Sequence, residues 1–428
     1  MPKCWSASSD PQALTLGRHG KSMHVLSIAT LFPNPVKPSF GVFVGNQMRA
    51  VVASGQVELT MVSPIGIPPW PLSTREPYAR LKDIPEVSDA VGLKVHYPKF
   101  TTFPKVGGDT NPGRIARTVL PLVRKLHKEK PFDLVDAQFF FPDGPAAAIV
   151  ARELGIPLTI KSRGADIHFW GQRPHALKQM LEAAHQSAGL LAVSQALRED
   201  MIQLGMPADR IDIHYTGLDR EKFHPIERGA ARALVSAMPN LGIWSEGPLL
   251  VTPGALIPRK GQALVIEALC RLPEARLALA GSGEDEARLK ALAQRLGVAE
   301  RVQFLGLVDH ELLPHVLCAA DVLVLPSASE GLANVWVEGL ACGTPIVIPD
   351  IGGAREIVSD ASAGRIAERT PDAIAAAVED ILADPPTQAQ VAEHVSRFSW
   401  GVNAENIVHF WKGVLGQDEP APELEETA

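Results

Sequence analysis

Short apolar segments rich in β-branched residues alternate with longer helical patterns along most of the chain, and this alternation restricts the possible folds most strongly. The segments cover residues 24–29, 57–63, 132–137, 157–162, 189–194, 248–254, 275–281, 301–306, 321–327 and 344–350. Strands separated by helices predict parallel sheets covered by helices. Ten strands exceed the roughly five or six of a mean sheet, so we expect an α/β protein with two doubly wound, Rossmann-like domains.

The alternation lapses between residues 220 and 247, which predicts a linker region between an N-terminal domain at 23–219 and a C-terminal domain at 248–397. Residues 398–415 contain an amphipathic helix that we expect to cross back to the first domain. The polar residues 1–22 are interpreted as a disordered or non-native extension, and 416–428 as an acidic disordered tail. Residues 63–110, dense in proline and aromatics, predict an ordered but irregular recognition loop.

Composition excludes several classes of protein. With 428 residues, of which 46% are hydrophobic and 21% charged, the chain is neither a disordered segment nor a small stapled domain. Its four cysteines lack the paired spacing of a zinc or redox site, and three lie in apolar stretches where we expect burial. No apolar run approaches the ~20 residues that span a bilayer, and residues 1–22 lack the apolar segment of a secretory signal. We therefore expect a cytoplasmic protein without a bound metal.

The segment 321–358 carries the most chemical information, and it reads as strand, turn, helix, strand, glycine turn and helix. Glu330 lies in the first turn, and Glu338 follows eight positions later, about two helical turns on. The residues between them are expected to present free backbone N–H groups to a phosphate at the helix start. These residues are Gly331, Leu332, Ala333, Asn334 and Val335. Two glutamates near a helix start also stabilise its dipole, so the residues alone leave both interpretations open.

A longer pattern around these glutamates, P-S-x-x-E-G-x-x-N-x-x-x-E-x-x-A-x-G-x-P, resembles the retaining nucleotide-sugar glycosyltransferases of family four, which have the GT-B fold. The matching positions are Pro326, Ser327, Glu330, Gly331, Asn334, Glu338, Ala341, Gly343 and Pro345. The resemblance extends over most of 23–415. It implies two Rossmann-like domains facing across a cleft, with Glu330 positioning the donor sugar and supporting its cationic transition state, and Glu338 holding the ribose.

Other segments resemble the donor side of the same family. In 252–269, Arg259 and Lys260 occupy the positions of a basic pair that grips the donor diphosphate, in place of a metal ion. Gly254 precedes Ala255 where the family often has arginine. Gly281 and Gly283 stand where a turn lies beside the nucleotide base, although a plain strand-to-helix turn explains these two glycines equally well.

The front half resembles family members that build polysaccharides. Gly41 lies in a glycine loop after the first strand and is expected to approach phosphate or acceptor. Arg163, Asp166 and His168 are expected to line the cleft opposite the donor and to meet the acceptor. Gln138 stands where many relatives have histidine, so it receives no proton-transfer role.

A basic stretch at 105–130 holds seven bases and two acids, and Arg114, Arg117, Arg124 and Lys128 recur at helical spacing. It is interpreted either as a face that contacts an anionic membrane, at the inner side of the cell membrane, or as an ordinary solvated helix. No base-stacking array or basic recognition module accompanies it, so nucleic acid is not an expected partner.

The resemblance implies a retaining, metal-independent glycosyltransferase that moves a sugar from a nucleotide diphosphate, a UDP-sugar or GDP-sugar, to a glycan or lipid-linked glycan. The nucleotide sugar is a co-substrate, and no cofactor is expected. Surface or exopolysaccharide biosynthesis is the expected context. A nucleotide-sugar epimerase on the same scaffold and a non-catalytic glycan- or nucleotide-binding protein are the alternatives. The sugar, base, acceptor, linkage and oligomeric state cannot be predicted from the sequence.

Overall fold

The computed structural model describes residues 22–104 and 107–417. The interpretations of residues 1–21 and 418–428 therefore lie outside the described residues. Within them, two large sheets follow one another along the chain, with all ten predicted strands present. This confirms the α/β class with parallel sheets.

The first sheet has eight strands in the order β10-β9-β8-β7-β1-β2-β5-β4, parallel except for the β4–β5 pair, and β3 pairs with β6 beside it. Its strands and their small partner sheet are β1 (Met23–Ile28), β2 (Val57–Val62), β3 (Ile65–Ile67), β4 (Val87–Ala90), β5 (Leu93–His96), β6 (Lys99–Thr101), β7 (Leu134–Ala137), β8 (Leu158–Ser162), β9 (Gly189–Ala192) and β10 (Ile211–Ile213). The helices among them are α1 (Val42–Ala53), α2 (Asn111–Glu129), α3 (Asp143–Leu154), α4 (Ala165–Trp170), α5 (Pro174–Gln186) and α6 (Gln195–Gln203).

The second sheet has six parallel strands in the order β13-β12-β11-β14-β15-β16. Its strands are β11 (Leu249–Pro253), β12 (Arg276–Ala280), β13 (Val302–Gly306), β14 (Val322–Val324), β15 (Ile346–Ile348) and β16 (Gly364–Ile366). The helices from this part of the chain to its end are α7 (Arg228–Ala237), α8 (Gln262–Ala268), α9 (Glu286–Arg295), α10 (Leu313–Ala319), α11 (Asn334–Ala341), α12 (Ala354–Ile357), α13 (Pro371–Ala383), α14 (Gln388–Glu393) and α15 (Trp400–Val414).

Apolar side chains fill the space between strands and helices, as expected for parallel strands covered on both faces. Trp336 of α11 and Trp411 of α15 are fully buried. The ring of Trp411 packs in the same cluster as Val25 of β1 and Met48 of α1. The last helix, α15, therefore packs against the lobe of the first sheet, although it follows the second sheet in the chain.

Two sequence expectations need correction. The stretch 63–110 is not a single irregular loop, because its described part contains four short strands, of which β5 and β4 extend the first sheet. Its aromatic residues explain the order, since Tyr97 is fully buried and donates to the carbonyl of Pro33 at 2.8 Å. Cys318 and Cys342 are buried as expected, but Cys270 is exposed because it follows the last turn of α8 on the surface.

Candidate active site

A cavity of about 600 Å³ opens where loops of the two sheets meet. Strand β11 lies between β12 and β14, so the chain turns in opposite directions on leaving β11 and β14. In open parallel sheets, ligands bind at the carboxyl ends of strands beside such a switch point. The loops after β11 and β14 both line this cavity. The predicted residues on its wall are Arg163, Gly254, Arg259, Lys260, Gly281, Glu330, Leu332, Ala333, Asn334, Val335 and Glu338.

The basic pair and the first glutamate contact each other directly. Lys260 donates from Nζ to Oε1 of Glu330 at 2.6 Å, and Arg259 donates from Nη1 to the same oxygen at 3.2 Å. Arg259 also donates to the backbone carbonyl of Ser329. The side chains of Lys260 and Glu330 are only 14% and 12% exposed, so these charges attract in a partly desolvated site. The carboxylate of Glu330 therefore pairs with both cations, as an anionic ligand would.

The predicted phosphate-binding segment, residues 331–335, includes the start of helix α11. Helix α11 begins at Asn334, and Gly331 to Ala333 form the bend before it. No hydrogen-bond acceptor for the backbone N–H groups of residues 332–335 is present among the described residues. Four free donors at a helix start, with the positive end of its dipole, suit an anion. Residues 332–335 line the cavity, and the binding of a phosphate by their amides stays a prediction.

Glu338 lies in α11 on the cavity wall with a side chain that is 17% exposed. Burial raises the pKa of this carboxyl group to about 7, and the positive charge of Lys222 partly opposes that rise. The imidazole of His310 lies close by, with its Nε2 3.9 Å from Oε1 of Glu338. Within the described chain this carboxyl group accepts no hydrogen bond, so its oxygens are available to hydroxyl groups of a ligand.

The predicted glycines differ in how they contribute. A Cβ atom on Gly281 would lie 1.9 Å from the carbonyl oxygen of Gly254, and one on Gly283 would lie 2.2 Å from that of Leu256. Both glycines therefore let two loops pack closely, but only Gly281 also lines the cavity. Gly283 thus fits the strand-to-helix turn interpretation. Gly41 caps α1 at φ 65°, and a Cβ atom there would lie 2.5 Å from the carbonyl oxygen of Leu31, which lines the cavity, so the approach of Gly41 to phosphate or acceptor stays a prediction.

On the opposite wall, the three predicted acceptor residues separate. Arg163 lines the cavity. Asp166 is fully buried and accepts hydrogen bonds from the backbone N–H groups of Phe140, Arg163 and Gly164, at 2.7, 3.0 and 2.8 Å. The expectation that Asp166 lines the cleft is wrong, because its carboxylate is used to hold the loop before α4.

His168 is not among the residues that line the cavity, but its ring connects a loop of the first lobe to a loop of the second. Its Nδ1 is 2.6 Å from Oγ of Ser329, the neighbour of Glu330, and its Nε2 is 2.9 Å from Oδ2 of Asp200. His168 therefore connects the first lobe to the Glu330 loop of the second, and its contact with an acceptor stays a prediction.

Sequence reasoning missed a second contact between the lobes. The carboxylate of Glu356 accepts from the backbone N–H of Gln195 at 2.9 Å and from the hydroxyl of Tyr215 at 2.8 Å. Thr216 donates to Oδ1 of Asn334 at 2.8 Å. Glu356 follows a glycine pair, which was the available signal, but its partners lie 161 and 141 residues away in the chain.

The basic face of α2 is partly neutralised. Arg124 pairs with Glu153, and Arg114 donates to the carbonyl of Thr101 at 3.2 Å and lies over the ring of Phe103. Arg117 and Lys128 are exposed, and no carboxylate among the described residues pairs with them. Over 22–104 and 107–417, no helix is long and apolar enough to cross a membrane. Across the same ranges, no three His, Cys, Asp or Glu side chains are grouped as metal ligands would be.

Comparisons with known proteins give consistent results. The family model for glycosyl transferases group 1 matches residues 237–397, and that for glycosyltransferase family 4 matches 75–222. A Bacillus subtilis glycosyltransferase, TuaC, with a proposed role in teichuronic acid biosynthesis, is 27% identical over 406 residues, which cover 92% of this chain and 99% of TuaC. A D-inositol 3-phosphate glycosyltransferase of Mycobacteroides abscessus is 30% identical over 319 residues, covering 71% of this chain and 70% of the relative.

Among solved structures, HepE of Anabaena in complex with UDP-glucose matches with a TM-score of 0.69 at 21% identity, covering 91% of this chain and 100% of HepE. At this identity the likeness concerns the fold. The two parallel sheets that face each other across the cavity have the arrangement of the GT-B fold.

Proposed function

Because the chain belongs to the glycosyltransferases of group 1 and family 4, we propose that it moves a sugar from a nucleotide diphosphate to a glycan or lipid-linked glycan with retention of configuration. The observation that carries this proposal is the meeting of Arg259, Lys260 and Glu330 beside four free amides in one cavity. UDP-sugars are the first candidates, since a structural neighbour holds UDP-glucose, and GDP-sugars are the second.

In this proposal, the donor diphosphate replaces the carboxylate of Glu330 as the partner of the two cations. In the structure, the carboxylate of Glu330 compensates the charges of Arg259 and Lys260. An entering diphosphate brings two adjacent anionic groups that bind a guanidinium and an ammonium more strongly than one carboxylate does. The released carboxylate of Glu330 is then free to position the donor sugar and to stabilise positive charge on it.

The same groups stabilise the leaving diphosphate. Its negative charge grows as the glycosidic bond breaks, and preorganised donors favour the transition state over the ground state. Arg259, Lys260 and the N–H groups of residues 332–335 supply that charge stabilisation without a metal ion. Glu338, about one turn into α11, is placed to accept hydrogen bonds from the ribose hydroxyls.

The acceptor enters from the wall of the first sheet. Arg163 is the charged side chain that this wall contributes to the cavity, with Phe43 and Phe139 beside it. We propose a surface or exopolysaccharide precursor as the acceptor, as the name of the TuaC relative suggests. Contact with an anionic membrane through Arg117 and Lys128 of α2 belongs to the same proposal, because a lipid-linked acceptor is reached from the cytoplasmic face of the membrane.

The test compares two lysines. Lys260 pairs with Glu330 at 2.6 Å in the cavity, and Lys290 pairs with Glu286 at 2.6 Å on the surface of the same lobe. UDP and GDP binding is measured by calorimetry on wild type, Lys260→Ala and Lys290→Ala. Loss of a charged hydrogen bond of about 1.5–3 kcal/mol predicts roughly 10- to 100-fold weaker nucleotide binding for Lys260→Ala alone.

Turnover is followed as UDP release from UDP-glucose and GDP release from GDP-mannose, with a detergent extract of lipid-linked glycans as acceptor. Glu330→Gln is expected to bind nucleotide and to lose most turnover. Conversion of the donor sugar without nucleotide release would instead identify an epimerase. Binding without turnover by wild type would indicate a non-catalytic protein, and equal nucleotide affinity of the two lysine variants would contradict the donor site.

A further inference from the structure

A cluster of polar side chains lies buried behind Arg163, away from the donor cluster. Lys161, Gln47, Gln138 and Asp136 are each at most 1% exposed, and His214 is 2% exposed. Burying an amine among neutral partners is costly, and an apolar side chain of similar length avoids that cost. Because the proposed reaction does not use this cluster directly, its retention calls for another explanation.

Hydrogen-bond directions in the cluster are fully determined. Arg163 donates from Nη2 to Oε1 of Gln47 at 3.2 Å, and Lys161 donates from Nζ to the same oxygen at 3.0 Å. Both groups are donors, so the amide oxygen of Gln47 must face them. Its Nε2 then donates to Oε1 of Gln138 at 3.0 Å, and Nε2 of Gln138 donates to Asp136. A reversed Gln47 amide would place an NH2 group against two other donors.

His214 fixes the direction of the remaining bond. Its Nε2 is 2.8 Å from the carbonyl oxygen of Asn403 in α15, and this oxygen can only accept. Burial lowers the pKa of His214 well below its ordinary value, so the ring is neutral with its proton on Nε2. Its Nδ1 therefore accepts from Nζ of Lys161, at 2.6 Å. Lys161 donates to His214 and to Gln47 at once.

These bonds hold the guanidinium of Arg163 on several sides. Besides Gln47, its Nη2 donates to Oε1 of Gln138 at 2.7 Å, and its Nε donates to the carbonyl of Gln138 at 2.9 Å. The guanidinium carbon lies 4.9 Å from the ring centre of Phe43. Its Nη1 donates to no acceptor among the described residues, and Arg163 lines the cavity. One nitrogen is thus left for a ligand, in a fixed place.

We propose that Lys161 and Gln47 are positioning residues, which orient Arg163 so that its free nitrogen meets a hydroxyl or anionic group of the acceptor. The contact between Arg163 and an acceptor rests on the proposed function, whereas the orientation of Arg163 does not. Lys161 acts through the amide of Gln47. Through His214, the same network reaches the helix α15.

The first arm of the test is crystallographic and needs no turnover. Structures of the full chain are compared for wild type, Lys161→Met and Gln47→Leu. In Lys161→Met, the Gln47 oxygen loses the shorter of the two hydrogen bonds that orient it, and we expect the guanidinium of Arg163 to leave its place between Gln138 and Phe43. A guanidinium that superposes on the wild-type position in both variants would overturn the proposal.

The second arm is kinetic and uses UDP-glucose or GDP-mannose, whichever wild type turns over, with the lipid-linked glycan extract as acceptor. The concentration of extract that gives half-maximal rate should rise in Lys161→Met, by up to roughly 100-fold for a displaced contact group. UDP and GDP affinities should stay at the wild-type value. Adding Lys161→Met to Arg163→Ala should have no further effect, since the two act through one guanidinium.

A matched control separates positioning from stability. His24 is also buried, near the start of strand β1 in the same sheet, where its ring contacts the carbonyl of Pro131 and the hydroxyl of Thr60, each at 3.0 Å. His24→Leu should lower the thermal midpoint without changing the acceptor dependence. Equal kinetic effects of His24→Leu and Lys161→Met would refute a positioning role. If wild type turns over neither nucleotide sugar, the proposed function fails and the crystallographic arm alone decides the orientation of Arg163.

Discussion

The raised pKa of Glu338 predicts that nucleotide binding releases protons near neutral pH. Burial raises the pKa of its carboxyl group from 4.5 to about 7, so about half of the molecules carry a proton there at pH 7. Hydroxyl groups of a bound ribose donate to the ionised form and so favour it. A bound nucleotide that returns the pKa toward 4.5 therefore expels about half a proton per site at pH 7.

The same pKa shift also gives the size of the effect on the free energy of unfolding. A pKa raised from 4.5 to about 7 corresponds to about 3 kcal/mol of unfolding free energy. This stabilisation is complete below pH 4.5, where both states hold the proton, and it declines as pH rises until it is lost above about 7. Glu338→Gln keeps the shape and removes this titration, so its stability should decline by about 3 kcal/mol less than that of wild type over that range, while buried Asp143, whose pKa is raised to about 7, still contributes a decline in both proteins.

The assay is calorimetry of UDP binding at pH 7 in buffers with different ionisation enthalpies, which gives the number of protons exchanged. UDP itself titrates with a pKa of about 6, and Glu338→Gln provides the baseline for that contribution. Wild type should release about half a proton more than the variant. Equal proton counts would refute the role of Glu338 in holding the nucleotide, and proton uptake would mean that its acid form binds.

Two further predictions concern the contact between the lobes and the membrane face. Glu356→Ala removes the acceptor for the N–H of Gln195 and the hydroxyl of Tyr215, so we expect a lower thermal midpoint and a larger radius of gyration by solution scattering. An unchanged radius would show that this carboxylate does not hold the lobes together. The double variant Arg117→Glu, Lys128→Glu should lose flotation with anionic vesicles, at ~1 kcal/mol per base, while zwitterionic vesicles bind neither protein. Equal flotation of both proteins with anionic vesicles would contradict that face.

The sequence predicted the strands that carry a long apolar run, and it missed those that do not. All ten predicted strands are present, whereas β3, β4, β5, β6, β10 and β16 were not anticipated. Each of the missed strands has three or four residues. Such a strand is too short to show alternation, and it is stabilised by pairing with a neighbour that the sequence does not identify. The domain boundaries at 219, 247 and 397 remain predictions.

The candidate site was predictable where its residues are close together in the chain. Glu330, Asn334 and Glu338 share one turn and helix, so one continuous motif, recognised by its family resemblance, was enough to predict that they lie together. Asp166 was misplaced because a carboxylate in a motif and a carboxylate that satisfies buried amides look the same in sequence. Gln47 was missed because its partner Arg163 lies 116 residues away and nothing local marks it.

The loop of Glu330 packs closely against both lobes. A Cβ atom on Gly164, from the first lobe, would lie 2.5 Å from the backbone nitrogen of Gly331, and one on Gly352 would lie 2.2 Å from its carbonyl oxygen. The peptide next to Glu330 is therefore enclosed between backbones of two different loops. A rotation of one lobe against the other is therefore expected to change the contact between Gly164 and Gly331. Because Gly164 directly follows Arg163, that contact connects the two walls of the cavity on which Arg163 and Glu330 lie.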